Sequence, residues 1–360
     1  MPPAPPNSDF FHKDHFSLQL FLNSLNSSGA EPDAAQSLFR TVTMIPSRIA
    51  RRAGLAGLFL LAPLAMPARV STITLPPEAP AILDKIYSFD LDGAIEAAKR
   101  MEQERPRHPL GYLLETEALW WRIWCSSAEF KYGMSDARRH PKLEADRRYF
   151  ELAARVLSLA EAQVKQNESA EMQFYAGMAE ASSARLYALR GEYRNAARSG
   201  VRGREHLLRA KALDPDLADA DLGLGLYNYY VDTLSAIARV LRFFMGIPGG
   251  SKQEGVRLIE QAIAQGVLTT NIARFYLVLN LHRYDQQYEK ALNVLGPLVE
   301  KYPANPLFQL ARGDLYAKLG RKQQALACYR AASASPVQNP ECQTRVQQLV
   351  RASIASLGTE

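Results

Sequence analysis

Apolar residues recur at intervals of three and four along most of this chain. Between residues 109 and 334 this spacing places them on one side of successive helices. The one alternating run of β-branched residues, at 70–75, is short, so no strand pattern competes. The pattern predicts an all-α chain that ends in a capping helix at 340–357. The apolar positions of that last helix are Val346, Leu349, Val350 and Ile354.

Two segments near the C-terminal end repeat one another. Ala291 lies in YEKALNVLGPL and Ala325 lies in KQQALACYRAA, 34 residues further on (325 − 291). This is the period of the tetratricopeptide repeat, a helix–turn–helix unit. The repeat predicts paired helices in which a small residue lets two backbones approach closely, while large aromatic residues fill the space beside it.

Residues 304–336 resemble a tetratricopeptide unit. The matching positions are Gly313, Tyr316, Gly320, Ala325, Tyr329 and Ala332. Earlier units resemble the family less closely, with Gly225 and Gly255 at the small positions of two helices joined by a corner. The resemblance covers most of residues 78–336 and implies an α-solenoid, in which each helical hairpin stacks on the next.

A long apolar stretch at 219–245 predicts one elongated helix. Its polar residues follow steps of three and four along one narrow stripe, and the rest of its surface is apolar, which is typical of a buried helix. The stripe consists of Asn228, Asp232, Ser235, Arg239 and Arg242. The helix either lies inside the repeat array, or its aromatic tip at 243–245 touches a membrane or lipid while Arg239 and Arg242 meet a carboxylate or phosphate.

The stretch FMGIPGGSKQEG, residues 244–255, resembles a phosphate-binding loop in its glycines and lysine. Counted from Gly246, the required second glycine falls on Ser251, and Gln253 replaces the hydroxyl that holds magnesium. We therefore interpret the stretch as a corner in which Ser251 caps the next helix. The corner and its flanking helices also resemble a eukaryotic tetratricopeptide family linked to inclusion-body clearance and lipid balance at mitochondrial outer and other membranes; this likeness covers residues 205–336.

The N-terminal residues have the order of an export signal. At 44–68, three arginines precede an apolar run, and small residues follow at a plausible cleavage point. The apolar run is shorter than the ~20 residues of a membrane-spanning helix, so an uncleaved anchor is the weaker alternative. We predict a disordered or wrongly assigned extension at 1–43, a signal peptide at 44–68, a linker at 69–77 and the repeat domain at 78–360. This indicates a periplasmic or envelope location, unlike that of the eukaryotic family.

Composition narrows the possible functions. The 360 residues carry a formal charge of +6, with both signs mixed along the chain, so we expect no nucleic-acid partner. Cys125, Cys328 and Cys342 contain no CxxC pair, so we expect no zinc site; we favour buried free thiols over a Cys328–Cys342 disulfide. No HExxH or GxSxG motif occurs, so we expect no catalysis, cofactor or metal.

Two further clusters have two interpretations each. Trp120, Trp121 and Trp124 form either core or a wall for stacking peptides or sugars, and we favour core. The basic stretch at 132–148 is interpreted as a solvated loop between helices, with an anionic partner as the alternative.

The sequence thus predicts a non-catalytic scaffold that presents a concave groove to a protein or peptide in the bacterial envelope. The alternative is a lipid- or membrane-associated module that uses the 219–245 helix. Partner contacts are predicted on the first helices of the later units and on the long helix. These residues are Arg274, Tyr276, Asn280, Gln309, Arg312, Tyr316, Arg239 and Arg242.

Overall fold

A computed structural model describes residues 73–127, 142–234, 242 and 246–358. These residues form thirteen α-helices and no strand, which confirms the all-α prediction. All of them belong to one compact unit, Ala65–Glu360. The helices are α1 (Ala79–Tyr87), α2 (Leu91–Glu104), α3 (Pro109–Ser127), α4 (Glu144–Gln166), α5 (Ala170–Leu189), α6 (Tyr193–Leu213), α7 (Asp219–Asp232), α8 (Lys252–Gln265), α9 (Thr270–Asn280), α10 (Tyr288–Lys301), α11 (Pro306–Lys318), α12 (Lys322–Ala334) and α13 (Pro340–Leu357). The predicted extension and signal peptide lie outside the described residues.

Side-chain caps determine where several helices begin. The Ser251 hydroxyl accepts a hydrogen bond from the Glu254 backbone N–H at 3.4 Å, so Ser251 caps α8 as predicted. Gly246, at the start of the same corner, has a φ of +66°, a conformation that glycine adopts without strain. Asp90, Ser169, Asn305 and Asn339 cap α2, α5, α11 and α13 in the same way.

Glycines bring paired helices into backbone contact. A Cβ atom on Gly225 would lie 2.8 Å from the Gly255 carbonyl oxygen, and one on Gly255 would lie 2.7 Å from the Gly225 carbonyl oxygen. Gly177 and Gly203 meet in the same way between α5 and α6, at 3.1 Å. Any side chain at these positions would therefore force α7 away from α8, or α5 away from α6.

The last pair, α11 and α12, has the close approach expected from its repeat positions. A Cβ atom on Gly313 would lie 2.5 Å from the Tyr329 ring, and Tyr329 Oη donates a hydrogen bond of 2.7 Å to Asp314 Oδ1. In each of three helix pairs, the second helix carries two small buried residues that lie two helical turns apart. These are Gly203 and Ala210, Gly255 and Ala262, and Ala325 and Ala332.

Helices far apart in sequence also contact one another. Asp84 on α1 accepts hydrogen bonds from Lys301 Nζ at 2.8 Å and from Tyr302 Oη at 2.6 Å. Asn305 Nδ2 donates to the Tyr87 carbonyl at 2.9 Å. In an open array of repeats each unit contacts only its neighbours. The helical hairpins are therefore present, while their arrangement as an α-solenoid stays a prediction.

The central helix is α3, of whose 19 residues fifteen are buried. The Trp121 ring lies 5.0 Å from the Phe275 ring and 5.7 Å from the Phe308 ring, measured between centroids. Trp120 and Trp124 are also buried. The tryptophans thus form core, the interpretation that their sequence pattern favours.

The cysteine prediction was wrong for two of the three residues. A disulfide joins Cys125 on α3 to Cys342 on α13, whose Cα atoms lie 5.2 Å apart. Cys328 is a buried free thiol, as predicted. Spacing could not reveal the pair, because 217 residues separate its members and only the packing of α13 against α3 brings them together.

The predicted helix at 219–245 was wrong in its length, because α7 ends at Asp232. The Thr233 hydroxyl donates to the Tyr230 carbonyl at 2.9 Å, and the Asp232 carboxylate accepts the Lys252 backbone N–H at 2.8 Å. The Thr233 side chain bonds to a backbone group of α7 itself, and the Asp232 side chain bonds to a backbone group of α8. Such local side-chain bonds compete with the helical hydrogen bonds, which favours a turn after Asp232.

The described part of the polar stripe meets the corner. Asn228 Oδ1 accepts a hydrogen bond from the Ser251 backbone N–H at 3.3 Å. Ser235, Arg239 and the aromatic tip at 243–245 lie outside the described residues. No helix in the described parts of the chain is both long and apolar enough to span a bilayer.

The C-terminal helix α13 has the predicted bounds, but its buried face differs by one position. Val346 and Val350 are buried, whereas Ile354 is exposed and Ser353 is buried in its place. The helix contacts α3, α11 and α12 on the side that carries Cys342, and this contact sets which residues face inward.

Replacing Gly225 by Ala should lower the free energy of unfolding by about 1–3 kcal/mol, because the new Cβ meets the backbone of α8. Gly296→Ala on α10 is the matched control, since nothing lies within 4 Å of its Cβ position. It should raise the free energy of unfolding by roughly 0.5–1 kcal/mol. Urea unfolding followed by circular dichroism measures both; equal effects of the two substitutions would contradict the close approach of α7 and α8.

Candidate interaction surface

A partly buried ion pair lies where α3, α4 and α5 meet. Arg185 Nη2 donates to Glu117 Oε2 at 2.7 Å, and Arg185 Nε donates to Tyr149 Oη at 2.7 Å. Trp121 Nε1 donates to the other Glu117 oxygen at 3.0 Å, and the guanidinium lies 4.5 Å from the centroid of the Trp120 ring. The side chains of Arg185 and Glu117 are 17% and 15% exposed, so the pair reaches solvent on one side.

Two tyrosines extend this cluster. The Arg185 guanidinium also lies near the Tyr276 hydroxyl, and its positive charge opposes the rise in the pKa of Tyr276, which is partly exposed. Tyr87 Oη is buried and has no hydrogen-bond partner among the described residues. Burial, followed by the Glu117 charge, raises the pKa of Tyr87 well above its ordinary value, and burial also raises the pKa of Tyr276. Both phenols therefore remain neutral hydrogen-bond donors at physiological pH.

Three partly exposed tyrosines form what we call the tyrosine patch: Tyr230 on α7, Tyr276 on α9 and Tyr284 in the turn that follows α9. The rings of Tyr230 and Tyr284 lie 6.3 Å apart, and Tyr284 is 39% exposed. Burial raises the pKa of Tyr230 well above its ordinary value, and Tyr284 and Tyr276 act in the same direction. The Tyr230 and Tyr284 rings are therefore neighbours, and Tyr276 lies near enough for its charge to act on Tyr230.

A π-helical turn at Leu281–Asp285 positions Tyr284. The next residue, Gln286, has a φ of 53°, which is uncommon for a residue other than glycine. An ion pair between Asp285 and Lys252 of α8 holds the end of the turn. Such turns are frequent at functional sites, so this local geometry singles out the patch.

Several predicted partner residues are not on this surface. Asn280 is fully buried, and Gln309 is buried with its Nε2 donating to the Pro303 carbonyl at 2.9 Å. Arg242 lies beside the corner, and Arg239 lies outside the described residues. Helix position alone had suggested that Asn280 and Gln309 face a groove, but neighbouring helices cover them.

The remaining predicted residues lie on α9 and α11. Tyr276 belongs to the tyrosine patch. Arg274 is partly exposed and forms no hydrogen bond or ion pair with a described residue. Arg312 lies with its guanidinium 5.5 Å from the centroid of the Tyr316 ring, so each side chain covers part of the other. The structure thus places one of the predicted residues in the patch.

Sequence reasoning missed Arg185, Glu117 and Tyr284. No motif marks them, and they belong to α5, α3 and the π-helical turn, which only folding brings together. In the helix predicted at 219–245, Tyr230 counts among the apolar residues. Its hydroxyl in fact donates to Asn280 Oδ1 at 3.0 Å, a contact across 50 residues.

Part of the predicted basic loop is helical and paired. Residues 132–141 lie outside the described residues, but α4 begins at Glu144. Arg148 Nη2 donates to Glu115 Oε2 at 2.9 Å, and the Glu115 side chain is 2% exposed. This arginine therefore neutralises a buried carboxylate instead of standing free in solvent.

Glu115 also faces a second carboxyl group across the α2–α3 contact. The two carboxyl groups lie close enough that negative charge on both is unfavourable. Burial, then the hydrogen bond and charge of Glu115, raises the pKa of Glu102 to about 8, against the opposing charges of Arg148 and Lys99. Glu102 is therefore mostly protonated at neutral pH.

No protein-family model matches this chain, and no curated protein matches it. Function is therefore argued from the geometry of the chain itself. In the described ranges, no group of three His, Cys, Asp or Glu residues is placed to hold a metal ion. Among the described residues, the tyrosine patch and the neighbouring Arg185–Glu117 ion pair form the candidate interaction surface.

Replacing Glu102 by Gln should flatten the pH dependence of stability. In the native protein the pKa of Glu102 is raised from 4.5 to about 8, so the folded state retains a proton that the unfolded state releases. Stability should therefore fall between about pH 4.5 and pH 8 in the wild type, and fall less in Glu102→Gln. Urea midpoints at pH 5 and pH 8.5 test this. Glu104→Gln, exposed on the same helix, is the control; identical profiles for the wild type and Glu102→Gln would refute the raised pKa of Glu102.

Proposed function

We propose that this chain is a non-catalytic, tetratricopeptide-like scaffold that binds a protein partner in the bacterial cell envelope through the tyrosine patch. The patch is the observation that carries the proposal. Protein interfaces are enriched in tyrosine and arginine, because these side chains combine a large apolar area with a polar end. Here three tyrosines keep part of their surface exposed, and one of them, Tyr276, lies near Arg185.

The patch is also held in place before any partner arrives. Tyr230 is fixed by its hydrogen bond to Asn280, and Tyr276 lies near the Arg185 guanidinium. The Arg283 guanidinium lies 5.2 Å from the centroid of the Tyr284 ring. Side chains that are already ordered lose little conformational entropy on binding, which favours a specific and stable complex.

The repeat character of the scaffold is supported by its helix pairs. Small residues recur at equivalent places, with Gly225 against Gly255 and Gly177 against Gly203. Stacked hairpins of this kind commonly present partner-binding surfaces. The tetratricopeptide resemblance seen at residues 304–336 agrees with this packing.

An envelope location is supported by two independent features. The Cys125–Cys342 disulfide is of the kind that persists in oxidising compartments such as the bacterial periplasm. Residues 44–68 have the order of a secretory signal peptide. Both are expected of an exported chain.

A photo-crosslinking amino acid at Tyr284, introduced in native cells, should join this chain to one defined envelope protein. The same amino acid at Tyr193, which is 44% exposed on α6 against 39% for Tyr284, is the matched control. Tyr284→Ala should weaken the isolated complex at least about tenfold, because central aromatic residues dominate binding energy, while Tyr193→Ala should leave it unchanged. Equal crosslinking from both positions, or adducts to lipid alone, would overturn the protein-partner proposal in favour of surface contact or a membrane module.

Protein isolated from the envelope should contain the Cys125–Cys342 disulfide and one free thiol, Cys328. Alkylation of the denatured, unreduced protein followed by peptide mass spectrometry should label Cys328 alone. Because the bond closes a long loop, Cys125→Ser/Cys342→Ser should lower the free energy of unfolding by about 2–5 kcal/mol. Reduced wild-type protein should match the double variant. Alkylation of all three cysteines in the native material would argue against an oxidising location.

A further inference from the structure

Two arginines beside the corner have no carboxylate partner among the residues that the structure describes. Arg204 on α6 has its guanidinium 5.4 Å from the centroid of the Tyr227 ring, and Arg242 has a buried Nε that donates no hydrogen bond. Neither side chain forms a hydrogen bond or ion pair within the described parts of the chain. By contrast, Arg202 and Arg209 on α6 pair with glutamates. A buried N–H group without an acceptor is unfavourable, so the Arg242 guanidinium favours a further acceptor.

Tyr227 lies near both arginines and contacts the corner. Its hydroxyl donates to the Pro248 carbonyl at 2.9 Å. Burial raises the pKa of Tyr227, and the charges of Arg204 and Arg242 both oppose this rise, so both guanidinium groups lie near the same phenol. Arg242 Nη2 lies 3.7 Å from the position that a Cβ atom on Gly249 would occupy. The two charges therefore converge on the glycine corner.

The corner supplies two further donors. The backbone N–H groups of Gly249 and Gly250 donate no hydrogen bond to the described residues, whereas the next two N–H groups, those of Ser251 and Lys252, are taken by side chains of α7. Successive free N–H groups in a turn are suited to an anion. The absence of a side chain at Gly249 lets a ligand approach it closely, whereas the side-chain position of Gly250 is filled by the Asn228 backbone.

The local charge is positive. Residues 233–250 contain no Asp or Glu, but they contain Arg239 and Arg242. The carboxylate of Asp232 is occupied by the Lys252 N–H. Glu205 acts on Tyr227 from an exposed position on α6. One exposed carboxylate does not neutralise two guanidinium groups, so an anionic ligand would be attracted.

We propose that Arg204, Arg242 and the corner at 246–250 form a binding site for a phosphate group. Guanidinium forks and backbone N–H groups are the donors that phosphate oxygens favour. The same chemistry would bind inorganic phosphate and the headgroup of an anionic phospholipid, and the experiment separates these two sources. The site does not depend on the tyrosine patch or on the proposed protein partner.

Binding is measured on the full-length chain at constant ionic strength, with two probes. The first is inorganic phosphate in equilibrium dialysis. The second is flotation with vesicles of phosphatidylglycerol and phosphatidylcholine, compared with phosphatidylcholine alone. Arg204→Gln and Arg242→Gln should each weaken binding about tenfold or more, because each removes hydrogen bonds to a charged group. Arg198→Gln removes one exposed charge from α6 and should leave binding unchanged.

A second pair of variants does not alter either arginine. Gly249→Asp places a carboxylate near Arg242, where the Cβ position makes only ordinary van der Waals contact. This carboxylate should occupy the site and abolish binding of both probes. Gly249→Asn has nearly the same size without the charge, and it should retain binding. If circular dichroism shows that the arginine variants fold poorly, the comparison of Gly249→Asp with Gly249→Asn tests the phosphate site in their place.

The two probes then identify the source of the phosphate. Binding of inorganic phosphate without vesicle flotation identifies a free phosphate ligand, and flotation without phosphate binding identifies a lipid headgroup; either pattern supports the site. The proposal is overturned if neither probe binds the wild type. It is also overturned if Arg198→Gln loses as much binding as the other arginine variants, or if Gly249→Asp binds like Gly249→Asn.

Discussion

The packing of Trp121 connects the core of this protein with its candidate surface. Its ring packs against both Phe275 and Phe308, so one side chain of α3 contacts both α9 and α11. Its indole N–H donates to Glu117, which in turn holds Arg185 beside the tyrosine patch. A smaller residue at position 121 would leave a cavity and remove a donor from a largely buried carboxylate. The aromatic contact and the polar support of the patch therefore depend on the same residue.

Two kinds of contact hold the helices together. Within pairs, glycine and alanine allow close backbone approach, as between Gly225 and Gly255. Between distant pairs, the Asp84–Tyr302 hydrogen bond and the disulfide at Cys125 join helices more than 200 residues apart. Stability in a simple repeat array is a sum over neighbours. The distant contacts stabilise the protein in addition to the contacts between neighbouring pairs. We therefore expect changes in α1 or α13 to alter the stability of the whole described unit.

The tyrosine patch and the proposed phosphate site share α7. Tyr227 and Tyr230 lie on this one helix, less than one turn apart, and contribute to different sites. The N-terminal end of α7 is anchored by Asp219, a fully buried carboxylate that accepts the Leu268 and Thr269 backbone N–H groups at 2.9 and 2.8 Å. Gly255 of α8 meets the middle of the helix. A displacement of α7 would therefore alter both sites together.

Local patterns in the sequence determined the helical class, the Ser251 cap, the small residue at Gly313 and the bounds of α13. Each of these depends on residues within a few helical turns, where period, capping chemistry and residue size act directly. The partner of Cys125, the end of α7 at Asp232 and the meeting of Arg185 with Tyr276 were decided only by tertiary structure. Spacing along the chain carries no information about which helices meet, because those contacts arise from packing between segments that are distant in sequence.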